Sequence, residues 1–503
     1  MRMNEILEIT KVMDEKTQDE NFQIFWYSEV TNKNGDLKWK IDHRKLIRFI
    51  HEKGFRRFDI GNEYIFILIK DRVIEEIQIT RIQDEVMDYI NRLSKEFLIE
   101  SGISRTELES IFYTSPVIYF NTRKFSMLGP ESSIAFNADT KEHCFIYYAN
   151  GFVKCSSNGY QLQQYKDLEG HIFKKQIKDR KFKTHSSEGM FKKFLFNISG
   201  KNEQRFLSLQ TMIGYLLHSY YETKMKAVNL TDSSISDVAE GRTGKTLLGM
   251  AISQIKNVCV ISGKDFDPVN KHKYATASLD TQIVFLNDLR KNFNFEHLFN
   301  DISDAITIDR KNLPPFKIRA KMLIAANDTF RVEGASAKDR VLEFELSEHY
   351  SANFSPTEEF KCWFFKDWDD NEWLAFDNCM MECISTYLKH GVIEAKSINL
   401  DQRKKIRHTN SDFVEFMDEK IESGELKTGF DYDKKDLHNE FLEKFPDYKE
   451  DRLLKRSANF TKYLRIYANY SSQLKGTVKE RRSDGKSMIR FDGAKTEQPQ
   501  LLF

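Results

Sequence analysis

Apolar positions along this chain change rhythm several times, and each change predicts a different kind of element. "FQIFWYSEV" (22–30) and "YIFILIK" (64–70) are dense apolar runs of strand length. Between them, "DHRKLIRFIHEKG" places Leu46, Ile47 and Ile50 on one helical face, with Gly54 at the expected stop. "RIQDEVMDYINRLSKEF" predicts a second amphipathic helix. Residues 104–185 are rich in aromatics and short alternations such as "HCFIYYANGFVKC", which predict β-hairpins. Residues 186–225 read as helical, with "RFLSLQTMIGYLLHSYY" strongly apolar at helical spacing. From about 226 to 350 strand, loop and helix patterns alternate, which predicts a sheet flanked by helices.

A further helix is expected in "EEFKCWFFKDWDDNEWLAFDNCMMECISTYLKHG" (358–391). The polar, basic stretch "NLDQRKKIRHTNSD" (399–412) reads as a linker. After it, "KKDLHNEFLEKF", "RSANFTKYLRIYANYSS" and "KGTVKERRSDGKSMIRF" predict two helices and a basic hairpin, the layout of a winged helix. The expected division is therefore an N-terminal α+β domain (1–103), a β-rich linking domain (104–185), a helical collar with an α/β domain (186–395), and a linker with a winged-helix-like domain (396–503).

With 503 residues the chain is long enough for several cores. Apolar residues make up 40% and charged residues 30%, an ordinary globular balance, and a formal net charge of +1 confines any nucleic-acid surface to a local patch. The six cysteines are scattered; Cys379 and Cys383 in "CMMEC" lack a second Cys or His pair at zinc spacing, so buried thiols and a reducing compartment are expected. The charged N-terminal stretch has no secretory-signal pattern and no uninterrupted apolar run reaches membrane-spanning length. A soluble protein of the bacterial cytoplasm, without membrane contact, is the expectation.

The chemistry concentrates in "AEGRTGKTLLGMAI" (239–252). A phosphate-binding loop needs inward backbone N–H groups, a helix N-terminus behind them, a lysine for the outer phosphates and a hydroxyl on the magnesium side. Gly241 and Gly244 permit the tight path, Lys245 is the cation and Thr246 the hydroxyl; Ala239, Glu240, Arg242 and Thr243 complete the loop, and Ala239 stands where a glycine is usual. "MKAVNL" supplies the preceding strand, and "TDSSISDV" is read as its continuation. A degenerate match of this kind could also be a plain glycine turn before a helix, so the downstream sequence decides.

"TQIVFLNDLR" is an apolar strand ending in Asn287 and Asp288; a carboxylate there suits a magnesium hydration shell. The pair carries only one acid, and no residue is singled out to polarise water. "KMLIAANDTF" ends a third strand at Asn327, whose amide can reach a γ-phosphate or an attacking water. "AKDRVLEFEL" sets Arg340 just before a strand.

The order "GRTGKT", "IVFLND", "ITIDRKNLPPFKIRAKMLIAAN", "AKDRVLEFEL" resembles the superfamily three DNA helicases, AAA+-type ring motors of small DNA viruses, phages and plasmids, and within them the phage and plasmid branch akin to the poxvirus primase-helicases. The resemblance covers about residues 186–350. It implies an AAA+-like P-loop NTPase fold and a helicase that hydrolyses ATP with Mg2+ and assembles into a ring, most often a hexamer, on single-stranded DNA and replication forks, with a primase or other replication proteins as partners. It places Lys245 and Thr246 on Walker A, Asp288 on the Walker B acid and metal, Asn327 on sensor 1 and Arg340 on the arginine finger of a neighbouring subunit. It also implies a channel hairpin in "TIDRKNLPPFKI", with Lys311 at its tip and Arg310 and Lys317 beside it. In the C-terminal unit Lys462, Arg465, Lys475, Lys479, Arg481 and Arg482 are candidate phosphate contacts. A primase domain would need paired carboxylates for two metals, and neither "DEKTQDE" nor "KDRVIEE" has Asp-x-Asp spacing in a strand, so residues 1–185 read as a loading, oligomerisation or origin-contact region. Two alternatives stay open: an active primase fused to the helicase, and a DNA-binding initiator or packaging scaffold with a degenerate nucleotide site.

Overall fold

The computed structural model describes residues 23–31, 37–60, 63–131, 134–222, 224–235, 242–291, 293–311, 315–327, 339–451, 454–471, 473–474, 478–483 and 485–492. It is a mixed α/β structure. The N-terminal unit opens with the antiparallel pair β1 (Trp26–Val30) and β2 (Leu37–Ile41). Asp42 caps the helix His43–Glu52 by accepting from the amides of Arg44 and Lys45, and Gly54 follows in the left-handed region. A meander of β3 (Phe55–Ile60), β4 (Glu63–Lys70) and β5 (Val73–Ile77) comes next, then the helix Ile79–Arg92, whose Ile82, Val86, Tyr89 and Ile90 are buried in one core with Phe25 and Phe49.

The segment 104–128, expected with the β-rich unit, is helical and closes this first core. Ser104 and Glu107 form a capping box that starts the helix Arg105–Thr114, and Leu108 and Phe112, four residues apart, face inward together. An aromatic-rich pattern there was satisfied by helical rather than alternating spacing.

β6 (Cys144–Tyr148), β7 (Gly151–Ser156) and β8 (Gly159–Gln163) form an antiparallel sheet joined at its edge by β10 (Ile177–Lys178), while β9 (Ile172–Phe173) adds to β5. One face of β6 and β7 (Cys144, Ile146, Tyr148, Val153, Cys155) lies in the same core as the helices Met190–Ile198, Glu203–Leu217 and Asp370–His390. The expected division at 185/186 thus falls inside one continuous core.

The centre of that core is a five-stranded sheet of β11 (Ala227–Asp232), β12 (Val258–Ser262), β13 (Ile283–Leu289), β16 (Lys321–Ala326) and β17 (Val341–Leu346). All neighbours are parallel, in the order β12-β13-β16-β11-β17. β11 and β16 are buried along their whole length; β16 is nearly all apolar, whereas β11 also buries Asn229, Thr231 and Asp232. β14 (Ile306–Ile308) and β15 (Phe316–Ile318) form a separate antiparallel hairpin that feeds the amino end of β16. The chain leaves β11 for the far edge, returns strand by strand to β16, then passes to β17 on the other side of β11. Connections diverge around the carboxyl end of β11, the place where open α/β sheets hold ligands.

At the opposite end of the sheet Lys321, 4% exposed, donates to Tyr215 O at 2.5 Å, and its Nζ lies 3.8 Å from the Tyr215 ring centroid. Burial pushes its ammonium down from the ordinary lysine value to about 7. Between that value and the ordinary one near 10.5 the unfolded chain binds the extra proton, so this group's contribution to stability rises with pH across that window. The stability of wild type relative to Lys321→Met is therefore expected to increase from pH 7 towards pH 10, measured by denaturant unfolding of both proteins. A difference that does not vary with pH would contradict it.

The stretch 399–412 is not a linker: Leu400–His408 is a helix in which Arg403 and Lys405 are buried. Its buried face is built from ion pairs and carbonyl contacts rather than apolar side chains, which is why its composition imitates a solvated segment. The C-terminal unit then runs helix Ser411–Glu422, β18 (Asp431–Asp433), helix Lys434–Lys444, helix Ser457–Tyr470, β19 (Val478–Ser483) and β20 (Lys486–Phe491). The strands order as β18-β20-β19 over a separate core that includes Phe413, Phe441, Phe460 and Ile489. Among the described residues no helix is long and apolar enough to cross a membrane, no group of three or more His, Cys, Asp or Glu could hold a metal ion, and all six cysteines are free thiols.

Candidate active site

The site begins with the nine-residue helix Lys245–Ser253 behind the carboxyl end of β11. Its N-cap is Gly244, at φ 109°, and no side chain caps its first amides. A Cβ at that position would meet the Phe194 ring at 2.9 Å as well as strain the backbone. Bare helix N–H groups and the positive end of the helix dipole therefore face the strand ends, an arrangement suited to an anion. One turn later Gly249 lets the helix lie directly on β13, because a Cβ there would run into the Phe285 ring, itself buried. Gly249→Ala should destabilise the protein by about 1–3 kcal/mol despite alanine's better helix propensity. Denaturant unfolding checks this, and a neutral or stabilising change would refute the close-packing argument.

Lys245 is buried, with Nζ 2.5 Å from Asp232 Oδ2 at the end of β11. Burial pushes its ammonium below the ordinary lysine value, and the Asp232 carboxylate pulls the other way. The pairing leaves Nζ without an aligned hydrogen-bond acceptor. Thr243 also donates to Asp232, so this carboxylate is held by the loop on two sides. Thr246 Oγ1 donates to Asn287 Oδ1 at 3.1 Å.

Pairing between β13 and β16 is interrupted between Leu286 and Leu289, and within that bulge Asp288 takes φ 60°. A non-glycine residue in the left-handed region carries local strain, and bulges of this kind re-aim side chains. Here Asn287 is aimed at Thr246, while Asp288 is aimed at Asn327, whose Nδ2 lies 3.4 Å from Asp288 Oδ1. Lys264, just after β12, sits 2.7 Å from Asp288 Oδ2. Lys245, Thr246, Asn287, Asp288 and Asn327 line a cleft of about 590 Å³ whose other wall includes Met250, Pro356, Trp363 and Phe364. Asp288 is the single carboxylate among the described residues lining it.

The sheet thus brings together Thr243, Gly244, Lys245, Thr246, Asp288 and Asn327, with Arg242 at the rim, where it takes φ 63° and donates to Ala352 O at 3.4 Å. Ala239, Glu240 and Gly241 lie outside the described residues. Arg340 is elsewhere: it precedes β17 at the amino end of the sheet, where its Nε donates to Ser303 Oγ at 3.1 Å and its guanidinium lies 5.0 Å from the Phe299 ring centroid. A six-residue strand separates that end from the cleft, about 20 Å at ~3.3 Å per residue.

The hairpin of β14 and β15 is also at the amino end. Lys317 is exposed opposite Thr307, the Arg310 guanidinium covers the Phe316 ring at 4.8 Å, and Lys311 is exposed at the end of its arm. In the C-terminal unit Arg465 pairs with Glu480, Arg481 with Asp431, and Lys479 with Asp492 at 2.7 Å. Lys462 and Arg482 are exposed and make no ion pair among the described residues, and Lys475 lies outside them.

Three participants escaped the sequence reading. In the sequence Asp232 reads as continued strand of no special role, Lys264 follows an unremarkable strand, and Arg403 lies in the stretch that reads as a linker. Arg403 donates to Asp232 O and, at 2.8 Å, to Asn327 O. A polar residue at a strand's carboxyl end beside a phosphate-loop pattern is a signal that could have found Asp232; nothing local marks Arg403.

No family model matches the chain, and no curated protein matches it. Among solved structures it is similar to the apo "A form" of the NrS-1 C-terminal region, at 14% identity over 89% of this chain and 99% of that one, with a TM-score of 0.38. A second apo structure of that region gives 13% identity over 89% and 98%, with a TM-score of 0.37. A JCV helicase bound to a small acetamide compound gives 12% identity over 47% and 65%, with a TM-score of 0.25.

Proposed function

We propose that this protein is an ATP-driven DNA helicase of a phage, prophage or plasmid replicon, working as a ring, most simply a hexamer, on single-stranded DNA. The observation that carries the reading is the convergence of Lys245, Thr246, Asn287, Asp288 and Asn327 on one cleft at the carboxyl ends of β11, β13 and β16. The uncapped helix start and the unaligned, buried Lys245 ammonium fit a triphosphate, and the apolar wall at Met250 and Trp363 fits a base.

Within this reading Lys245 and the helix N–H groups hold the outer phosphates. Thr246 and Asn287 stand on the magnesium side; the bound ion would neutralise charge on the phosphates. Asp288 takes a different part from the metal-holding one its sequence position suggests. Asn287 is neutral and has no basic site for a water proton, and Asp232 is occupied by Lys245 and Thr243. Asp288 also carries an ion pair, with the exposed Lys264, but unlike Asp232 it lines the cleft, beside the Asn327 amide; once Lys264 swings into solvent, Asp288 accepts the proton of a water whose oxygen attacks the terminal phosphorus as the bond to the leaving diphosphate breaks. Asp288→Asn should lower turnover by roughly 10²-fold with ATP binding nearly unchanged. Loss of binding in parallel with turnover would return Asp288 to the metal.

Lys311 and Lys317 are the expected grips on a DNA strand, supplying sequence-independent contacts to its phosphates. The Lys462 and Arg482 side chains offer further contact on the C-terminal unit. ATP turnover measured with and without single-stranded DNA, together with strand displacement on a forked duplex, tests the reading. ATP binding without turnover, even with DNA present, would favour the initiator or scaffold alternative instead.

A further inference from the structure

The helix Leu400–His408 grips two units at once. Towards the sheet, Arg403 is 9% exposed and its guanidinium bonds the backbone carbonyls of Asp232 and Asn327, the last residue of β11 and the residue just after β16. Lys404 pairs with Glu343 of β17, and Asn399 Nδ2 donates to Ser233 O at 2.9 Å. Towards the C-terminal unit, Lys405 Nζ lies 3.1 Å from Asp418 Oδ1 and Gln402 Nε2 donates to Asp418 Oδ2 at 2.8 Å. Asp418 also accepts from the Tyr467 hydroxyl, and Lys405 Nζ lies 4.5 Å from the Tyr467 ring centroid. Asp418 and Tyr467 belong to the helices Ser411–Glu422 and Ser457–Tyr470 that build the C-terminal core.

Arg403 makes no ion pair among the described residues. Burying a guanidinium on carbonyl oxygens, with Glu345, Asp232 and Glu343 exerting only a longer-range pull, is a costly way to tie two strands that already pair with each other. What the contact does add is position. The Asp232 side chain holds Lys245 and Thr243, and the Asn327 side chain faces Asp288, so both residues gripped by Arg403 are one side chain away from the phosphate cleft.

We infer that Arg403 is a positioning residue that couples the C-terminal unit to the nucleotide cleft: a shift of that unit, taken up through Asp418, moves Asp232 and Asn327 together and changes turnover. This rests on the nucleotide reading above, with single-stranded DNA as the ligand of the C-terminal unit. By linkage, nucleotide must then change DNA affinity through the same helix.

The test compares the full chain with Arg403→Lys, whose ammonium cannot span both carbonyls in the guanidinium's geometry, and with Asp418→Asn, which loosens the far grip without touching the cleft. The readouts are ATP turnover with and without an oligodeoxythymidine, affinity for that oligonucleotide with and without a non-hydrolysable ATP analogue, analogue affinity, and the unfolding midpoint. Wild type is expected to show stimulation of roughly fivefold or more, and both variants to lose most of it while analogue affinity stays within about threefold. Asp418→Asn should keep its DNA-free turnover within about twofold of wild type, since the cleft is untouched. The nucleotide effect on DNA affinity should disappear in the same two variants. A purely structural role would lower the midpoint and analogue affinity together and leave the stimulation ratio intact, which overturns the inference; so does wild-type turnover indifferent to DNA. Wild type that binds no ATP analogue would instead remove the nucleotide reading itself, and its analogue titration identifies that case separately.

Discussion

On the nucleotide reading, Lys245→Ala is expected to abolish ATP turnover, lowering it by roughly 10²- to 10³-fold, because it removes the buried cation at the start of the helix where the phosphates would sit. The replacement also releases Asp232, leaving a carboxylate at the end of β11 without its ion pair. That carboxylate would then repel the same phosphates, so affinity for the nucleotide should fall together with turnover. The two contributions can be separated. Lys245→Ala with Asp232→Asn relieves the repulsion, so it should regain nucleotide affinity relative to the single variant without regaining turnover. Equilibrium binding and steady-state hydrolysis check both parts. For wild type, ATP with Mg2+ at a hundred times its dissociation constant should add about 2.7 kcal/mol to stability, a thermal shift that Lys245→Ala should lack at the same concentration. Full hydrolysis by Lys245→Ala would remove the site from this cleft.

How much of this was legible without coordinates depends on how local each signal is. Gly244, Lys245 and Thr246 announce themselves because a phosphate-loop pattern is written in consecutive residues, and Asn287, Asp288 and Asn327 stand out as polar ends of apolar strands. Their meeting needs only that the strands be parallel and adjacent, which strand–helix alternation already suggests. That Asn287 turns to Thr246 while Asp288 turns to Asn327 was not legible. It depends on a bulge and on the φ of one residue, and neither has a signature in "FLND".

Arg403 was hidden for the opposite reason. In "NLDQRKKIRHTNSD" the buried face is made of cations, and a reading that equates charge with solvent assigns such a stretch to a linker. The helical segment 105–125 was misplaced because aromatic residues mark helices and strands alike, and the deciding feature was the capping box at Ser104 and Glu107. The C-terminal basic surface is also less cationic in space than in sequence, since Glu480, Asp431 and Asp492 neutralise Arg465 on the helix and Arg481 and Lys479 on the hairpin.

Arg340→Ala is expected to reduce turnover by roughly 10³-fold while leaving nucleotide affinity nearly unchanged, the behaviour of an arginine that meets the γ-phosphate only in the transition state. Its own cleft is out of reach, about a strand's length of ~20 Å away, beyond any side chain. On this reading Arg340 acts on the nucleotide of a neighbouring copy, leaving Ser303 and the Phe299 ring to do so. Mixing supplies a sharp test. Arg340→Ala retains an intact cleft and Lys245→Ala retains Arg340, so each variant alone should be inactive. Combined in one assembly, the junctions that pair an intact cleft with an intact arginine should hydrolyse ATP. Recovery of a substantial fraction of wild-type turnover on mixing, falling again on dilution below the assembly concentration, places Arg340 in trans. No recovery from two variants that co-assemble would show that Arg340 serves only the fold around Ser303, and the catalytic cation would have to be sought elsewhere on the neighbouring surface.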